Sequence, residues 1–269
     1  MKLKFNEFEI DILPFVQLCG MNCKKKEFII NSIEKHFSSG KYKDYEKEYQ
    51  ECFLVDGQIL GRNYFKTYSI QNREDIIRYI QISKSSIMMQ YFSNCLMEYN
   101  CTQDMSVIVQ HLENIFQNIN ETFLENGSKV KLSFEENNIF NLIQNAKVES
   151  YDGQDIHLLN NLELLTEFLQ LIEKNLLYQP GKILLIFKNI DHLLEQEYQL
   201  FVDKVEKISN GFDISIICTL SMEGYVDIRK QFFEGIHIIN DVVYQMPELE
   251  RVKEFVQDHY PSGRKVSEK

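Results

Sequence analysis

Five unbroken apolar residues, Ile183 to Phe187, stand between Pro180-Gly181 and Lys188-Asn189. A run this short, with turn residues on both sides, predicts a strand from Ile183 to Lys188 buried on both faces. A second run, Ile214 to Leu220, follows after a helix-length segment, His192 to Ser209, with Gly211 at the joint. Upstream, Leu158 to Leu177 has the apolar spacing of another helix, and downstream Ile236 to Ile239 and Val242 to Met246 read as further strands. Strands separated by helices need crossover connections, which makes the sheet largely parallel and the chain α/β.

The first part adds strands of another kind. Lys2 to Phe5 and Phe8 to Ile12 alternate with period two about Asn6-Glu7, as an antiparallel hairpin does. Phe15 to Cys19 reads as a short strand ending at Gly20. From Cys23 to Phe37 the residues Phe28, Ile29, Ile33 and Phe37 recur at helical spacing. The charged segment Ser38 to Gln50 reads as a surface loop, and Cys52 to Val55 as a strand stopped by Asp56-Gly57.

Between Arg73 and Gln144 the pattern turns helical. Ile76, Ile77, Ile80, Ile87, Met88, Phe92 and Leu96 can line one face of a long helix. Val107, Ile108, Leu112, Ile115, Phe116, Ile119 and Phe123 can line a second, antiparallel to it through Asn100 to Gln103. The run Phe134 to Ile143 closes this region. The expected organisation is a discontinuous α/β head, 1–72 and 150–260, a helical leg inserted at 73–149, and a tail, 261–269, after a last helix from Glu248 to Tyr260. The alternative packs these helices directly on the sheet.

Over 269 residues, 44% hydrophobic content supports a sizeable core and argues against disorder. No segment reaches the roughly 18 to 20 apolar residues of a membrane span, and MKLKFNEFEIDIL alternates instead of forming a signal-peptide core, so the expected setting is the cytoplasm with no membrane contact. The cysteines Cys19, Cys23, Cys52, Cys95, Cys101 and Cys218 contain no C-x-x-C pair and read as free thiols. The histidines form no metal-binding or catalytic pairing. A formal net charge of −11 opposes a protein coated in nucleic acid, but phosphate binding depends on the few cations that face it.

The phosphate-loop pattern G-x-x-x-x-G-K-[ST] can be laid over Gly20 to Glu27. Gly20 and Lys26 then fall on the first glycine and the lysine. Lys25 replaces the second glycine, and Glu27 replaces the hydroxyl that would hold magnesium. The partner strand Ile183 to Phe187 should lead into acidic residues for the metal and for water, yet Lys188 and Asn189 occupy those positions. Asp191 reads as a helix N-cap. These substitutions describe a degenerate P-loop ATPase-like head that binds no nucleotide and has no catalytic residue. Lys24, Lys25 and Lys26 form a cationic first helical turn, which opposes the helix dipole and invites a bound polyanion.

The segment ILLIFKNIDHLLEQEYQLFVDKVEKISNGFDISIICTLSMEGY, with the hairpin, the degenerate loop and the paired helices before it, resembles the Csn-two family, CRISPR-associated proteins of type II-A spacer adaptation. NETFLENGSKVKLSFEENNIFNLIQNAKVES, from Asn120 to Ser150, is also similar. The resemblance implies a non-enzymatic tetrameric ring that takes double-stranded DNA ends through a lysine-lined hole without reading sequence. It implies as partners the CRISPR integrase complex and the effector nuclease. It also implies calcium held by acidic residues near the leg; here Glu135 and Glu136 fall in that stretch, whereas Lys131 and Ser133 stand where the family often carries acids. Lys24, Lys25 and Lys26 become the expected DNA contacts. The competing readings are a divergent P-loop ATPase or kinase and a scaffold that binds only proteins.

Overall fold

In chain order the strands of the computed structural model are β1 (Lys2–Lys4), β2 (Glu9–Asp11), β3 (Phe15–Cys19), β4 (Cys52–Val55), β5 (Gln58–Ile59), β6 (Lys66–Ile70), β7 (Ile183–Phe187), β8 (Ile214–Thr219), β9 (Phe233–Ile239) and β10 (Val242–Gln245). The α-helices are α1 (Cys23–Phe37), α2 (Arg73–Ile80), α3 (Ile87–Glu98), α4 (Thr102–Glu125), α5 (Asn161–Tyr178), α6 (Ile190–Leu194) and α7 (Tyr198–Ser209). The structure describes residues 2–4, 9–11, 14–38, 41–49, 52–55, 58–84, 86–98, 102–126, 131–132, 146–150, 153–194, 197–221, 233–239 and 242–245. The expected last helix, the Phe134 to Ile143 run, and Glu135 and Glu136 lie outside them. The chain divides into two units, Met1–Asp75 with Gly181–Lys269, and Ile76–Pro180.

The first unit is built on a six-stranded sheet in the order β10-β9-β3-β8-β7-β6. Every neighbouring pair is parallel except the terminal β9–β10 hairpin. All five residues of β3 and of β7 are buried, as the unbroken apolar pattern of β7 requires. The one polar member of β3, Gln17, accepts the Tyr198 hydroxyl at 2.9 Å inside the core. A second, antiparallel sheet runs β2-β1-β4-β5, with Lys2 opposite Asp11 and Leu3 opposite Phe53.

Helix α1 ties the two sheets together. Its residues Ile29, Ile30, Ile33 and Phe37 belong to one apolar cluster with Leu18 of β3, Ile186 of β7, Ile217 of β8 and Phe53 of β4. Each such buried side chain contributes about 1.5 to 3 kcal/mol relative to exposure. The edge strand β6, KTYSI, is not among the strands the sequence pattern predicts: it carries a polar alternation and buries only Tyr68 and Ile70. Its pairing with β7, Thr67 opposite Leu184, makes it a strand all the same. Within the expected loop Ser38 to Gln50, a 3-10 helix spans Asp44–Tyr49.

In the second unit the expected long first helix is broken into α2 and α3. Ser86 causes the break: its hydroxyl accepts from the amides of Ser83 and Met89, both at 3.1 Å, and so caps a new helix. Helix α3 packs on α5, with Asn94 donating to Asn175 at 3.1 Å and Asn175 to the Ile87 carbonyl at 3.2 Å. Helix α5 opens on a capping box in which Asn160 and Glu163 exchange side-chain and backbone bonds, both at 2.8 Å. The second unit, Ile76–Pro180, includes α5.

Candidate functional site at the strand ends

The strand β3 ends at Gly20, whose φ of 104° lies where only glycine sits without strain. Two residues later Asn22 caps α1, its Oδ1 accepting the Lys25 amide at 3.0 Å. The Cys23 amide donates to the Met21 carbonyl at 2.9 Å and the Lys26 amide to the Asn22 carbonyl at 3.1 Å. The helix thus starts at Cys23, inside the stretch that a phosphate loop would leave open. The amides of Cys23, Lys25 and Lys26, which would otherwise be available to a phosphate, are bonded within the turn and cap.

The lysine triplet divides on folding. Lys24 is exposed and Lys25 is half-buried, while Lys26 is only 4% exposed. The Lys26 ammonium donates to the Leu220 carbonyl at 2.7 Å. Helical periodicity explains the split, since Lys26 shares the inward face with Ile29, Ile30 and Ile33. The expectation of three DNA-facing lysines therefore fails for Lys26, whose charge points into the protein. Met21 beside it is almost fully exposed.

Across from α1, at the end of β7, Lys188 places its Nζ 2.6 Å from Glu34 Oε2 and 3.5 Å from Asn31 Oδ1. Asn189 takes a left-handed φ of 52°, which an asparagine tolerates better than most residues. Its amide donates to Thr219 Oγ1 at 2.7 Å. Asp191 is not the N-cap expected of it. It lies within α6, buried, and its Oδ2 accepts the Ser221 amide at 2.8 Å, joining the end of β7 to that of β8. Burial, and then the Asp191 charge, push the Cys218 thiol well above its ordinary range. Cys19 is also buried, whereas Cys23 is exposed.

These groups surround a cavity of about 310 Å³ at the carboxyl ends of the parallel strands, where open α/β sheets place their ligands. Lys26, Asn31 and Glu27 line it from α1, and Lys188, Thr219 and Ser221 from the strand ends. Sequence spacing identifies Lys26 and Lys188, but Asn31, Thr219 and Ser221 carry no motif and are found only through the fold.

The expected calcium ligands Glu135 and Glu136 lie outside the described residues. Among the described residues, no group of three or more His, Cys, Asp or Glu could hold a metal ion. No helix among them is long and apolar enough to cross a membrane.

No protein-family model and no curated protein matches the chain. Among solved structures, a head domain of SMC bound to the C-winged helix domain of ScpA aligns at TM-score 0.45 and 14% identity, over 88% of this chain and 91% of that one. The SMC head domain from Thermotoga maritima aligns at TM-score 0.40 and 14% identity, over 91% and 96%. Both are too distant to carry an argument. Stu0660 of Streptococcus thermophilus, a Csn-two CRISPR-associated protein, aligns at TM-score 0.78 with 20% identity, over 98% of this chain and 81% of that one. The chain has the fold of that Csn-two protein, which is the fold its sequence resemblance implies.

Proposed function

We propose that this chain is a non-catalytic CRISPR-adaptation protein of the Csn-two kind, which assembles into a tetrameric ring in the cytoplasm and holds double-stranded DNA ends without reading their sequence. The observation that carries the reading is the fold shared with Stu0660 over nearly the whole chain. Two features of the strand ends support it: the amides of Cys23, Lys25 and Lys26 after β3 are bonded within the turn and cap, and Lys188, where a metal-ligating acid would stand, is a cation paired with Glu34. With Lys26 turned inward, Lys24, exposed, and Lys25, half-buried, are the cations of the triplet proposed to meet a phosphate backbone. Integrase and effector-nuclease contacts belong to the same proposal.

The test compares retention of linear duplex DNA with that of covalently closed circles of the same length. The expected result is retention of the linear form only, weakening as salt rises. Equal retention of closed circles rejects encirclement, and no binding of either form rejects the DNA reading. The Lys24→Ala/Lys25→Ala variant is expected to weaken retention without loss of fold.

The second reading, a divergent P-loop ATPase, draws on the cavity beside Lys26. Magnesium-dependent ATP turnover that Lys26→Ala abolishes would establish it in place of the first.

A further inference from the structure

Among the described residues, Lys26 is a buried cation with no partner of opposite sign. The residue is 4% exposed, and its ammonium gives one hydrogen bond there, to the Leu220 carbonyl at 2.7 Å. An ammonium carries three N–H donors, and a charge buried without a counterion is unfavourable. The neighbouring Lys188 differs, because Glu34 neutralises it at 2.6 Å.

The Lys26 side chain lines the 310 Å³ cavity together with the Thr219 and Ser221 hydroxyls and the Asn31 amide. This volume is at the small end of ligand pockets, which run from roughly 300 to 1,000 Å³. We infer that the cavity binds a small oxyanion, a phosphate or a carboxylate, with Lys26 as its countercharge and these neighbouring side chains as its hydrogen-bond partners. The binding is metal-free and involves no hydrolysis. It differs from a phosphate loop in that side chains, not loop amides, surround the anion. Glu27 is also part of the lining, and its charge disfavours a long polyphosphate.

The inference is independent of DNA binding. The experiment titrates the full chain with sodium phosphate, pyrophosphate and malonate by calorimetry, without magnesium and at constant ionic strength. Saturable binding of at least one probe is expected. Lys26→Met should weaken it by about tenfold or more, the effect of losing a charge-assisted hydrogen bond. Lys207→Ala, which removes an exposed cation of α7 away from the cavity, should leave it unchanged. Ser221→Asp changes an exposed rim position and should also weaken it, which guards against a Lys26→Met variant that fails to fold. Binding of phosphates alone, or of malonate alone, assigns the anion class. Absence of saturable binding by all three probes overturns the inference. So does binding that survives both Lys26→Met and Ser221→Asp.

Discussion

The Lys188 ammonium lies 2.6 Å from the Glu34 carboxylate, joining the end of β7 to the last turn of α1. A metal-binding fold would carry an acid at the end of that strand. Here the strand brings the cation and the helix brings the acid, so the two elements are bonded without a metal. With side chains 21% and 34% exposed, the pair is partly screened. A double-mutant cycle of Lys188→Met and Glu34→Gln, read by urea unfolding, is expected to give a favourable coupling of about 0.5 to 1 kcal/mol. A coupling of zero would show that the pair adds nothing to stability.

Restoring an acid to the strand end should not restore chemistry. Lys188→Asp supplies a metal-ligating side chain, but the turn amides of Cys23, Lys25 and Lys26 remain bonded within the turn and cap. The expected outcome is no magnesium-dependent ATP hydrolysis above the unmodified protein. Measurable turnover in this single variant would mean that the turn opens to admit a triphosphate.

Asn189 holds a left-handed backbone between β7 and α6. A β-branched side chain meets its own backbone there, so Asn189→Val is expected to lower stability by about 1 to 3 kcal/mol. Asn189→Gly removes that strain and should cost clearly less. The order of the two denaturation midpoints checks the assignment, and a reversed order contradicts it.

His36 makes the head sensitive to acid. Its Nε2 lies 3.0 Å from the Leu60 carbonyl, and its ring packs 4.3 Å from that of Phe53. Burial lowers its pKa below the ordinary 6.5, and the Arg62 charge adds to this, while the Leu60 bond works the other way. The folded state therefore binds the proton less readily than the unfolded chain. The neutral-form advantage is fully present above pH 6.5 and declines as pH falls through 6.5 toward the lower folded value. Unfolding free energies at pH 7.5 and 5.5 should differ less in His36→Gln than in the natural chain. An identical pH dependence in both would remove His36 as a source of it.

The sequence was most legible where burial is two-sided. Ile183–Phe187 is apolar throughout and Ile214–Thr219 is apolar at every position but Ser215 and Thr219, and both became central strands because a covered sheet satisfies such runs. The α1 bounds, Cys23–Phe37, also follow from the spacing of Phe28, Ile29, Ile33 and Phe37. The edge strand β6 was hidden because an edge covers fewer side chains. The break between α2 and α3 was hidden because apolar spacing continues across Ser83 to Ser86, while one serine hydroxyl decides the cap.

By itself the sequence determined an α/β chain with a glycine turn before α1 and with cations or amides where acids would be needed for metal chemistry. It could not say which way those cations point. That depended on the rotation of α1 against the sheet, which turns Lys26 onto the Leu220 carbonyl and leaves Lys24 in solvent. It depended equally on β8 lying between β3 and β7, which brings Thr219 and Ser221, about 200 residues from Gly20 in the chain, to the rim of the same cavity. Such contacts form only when distant segments become neighbours in the sheet, because strand order fixes the neighbours and local pattern does not.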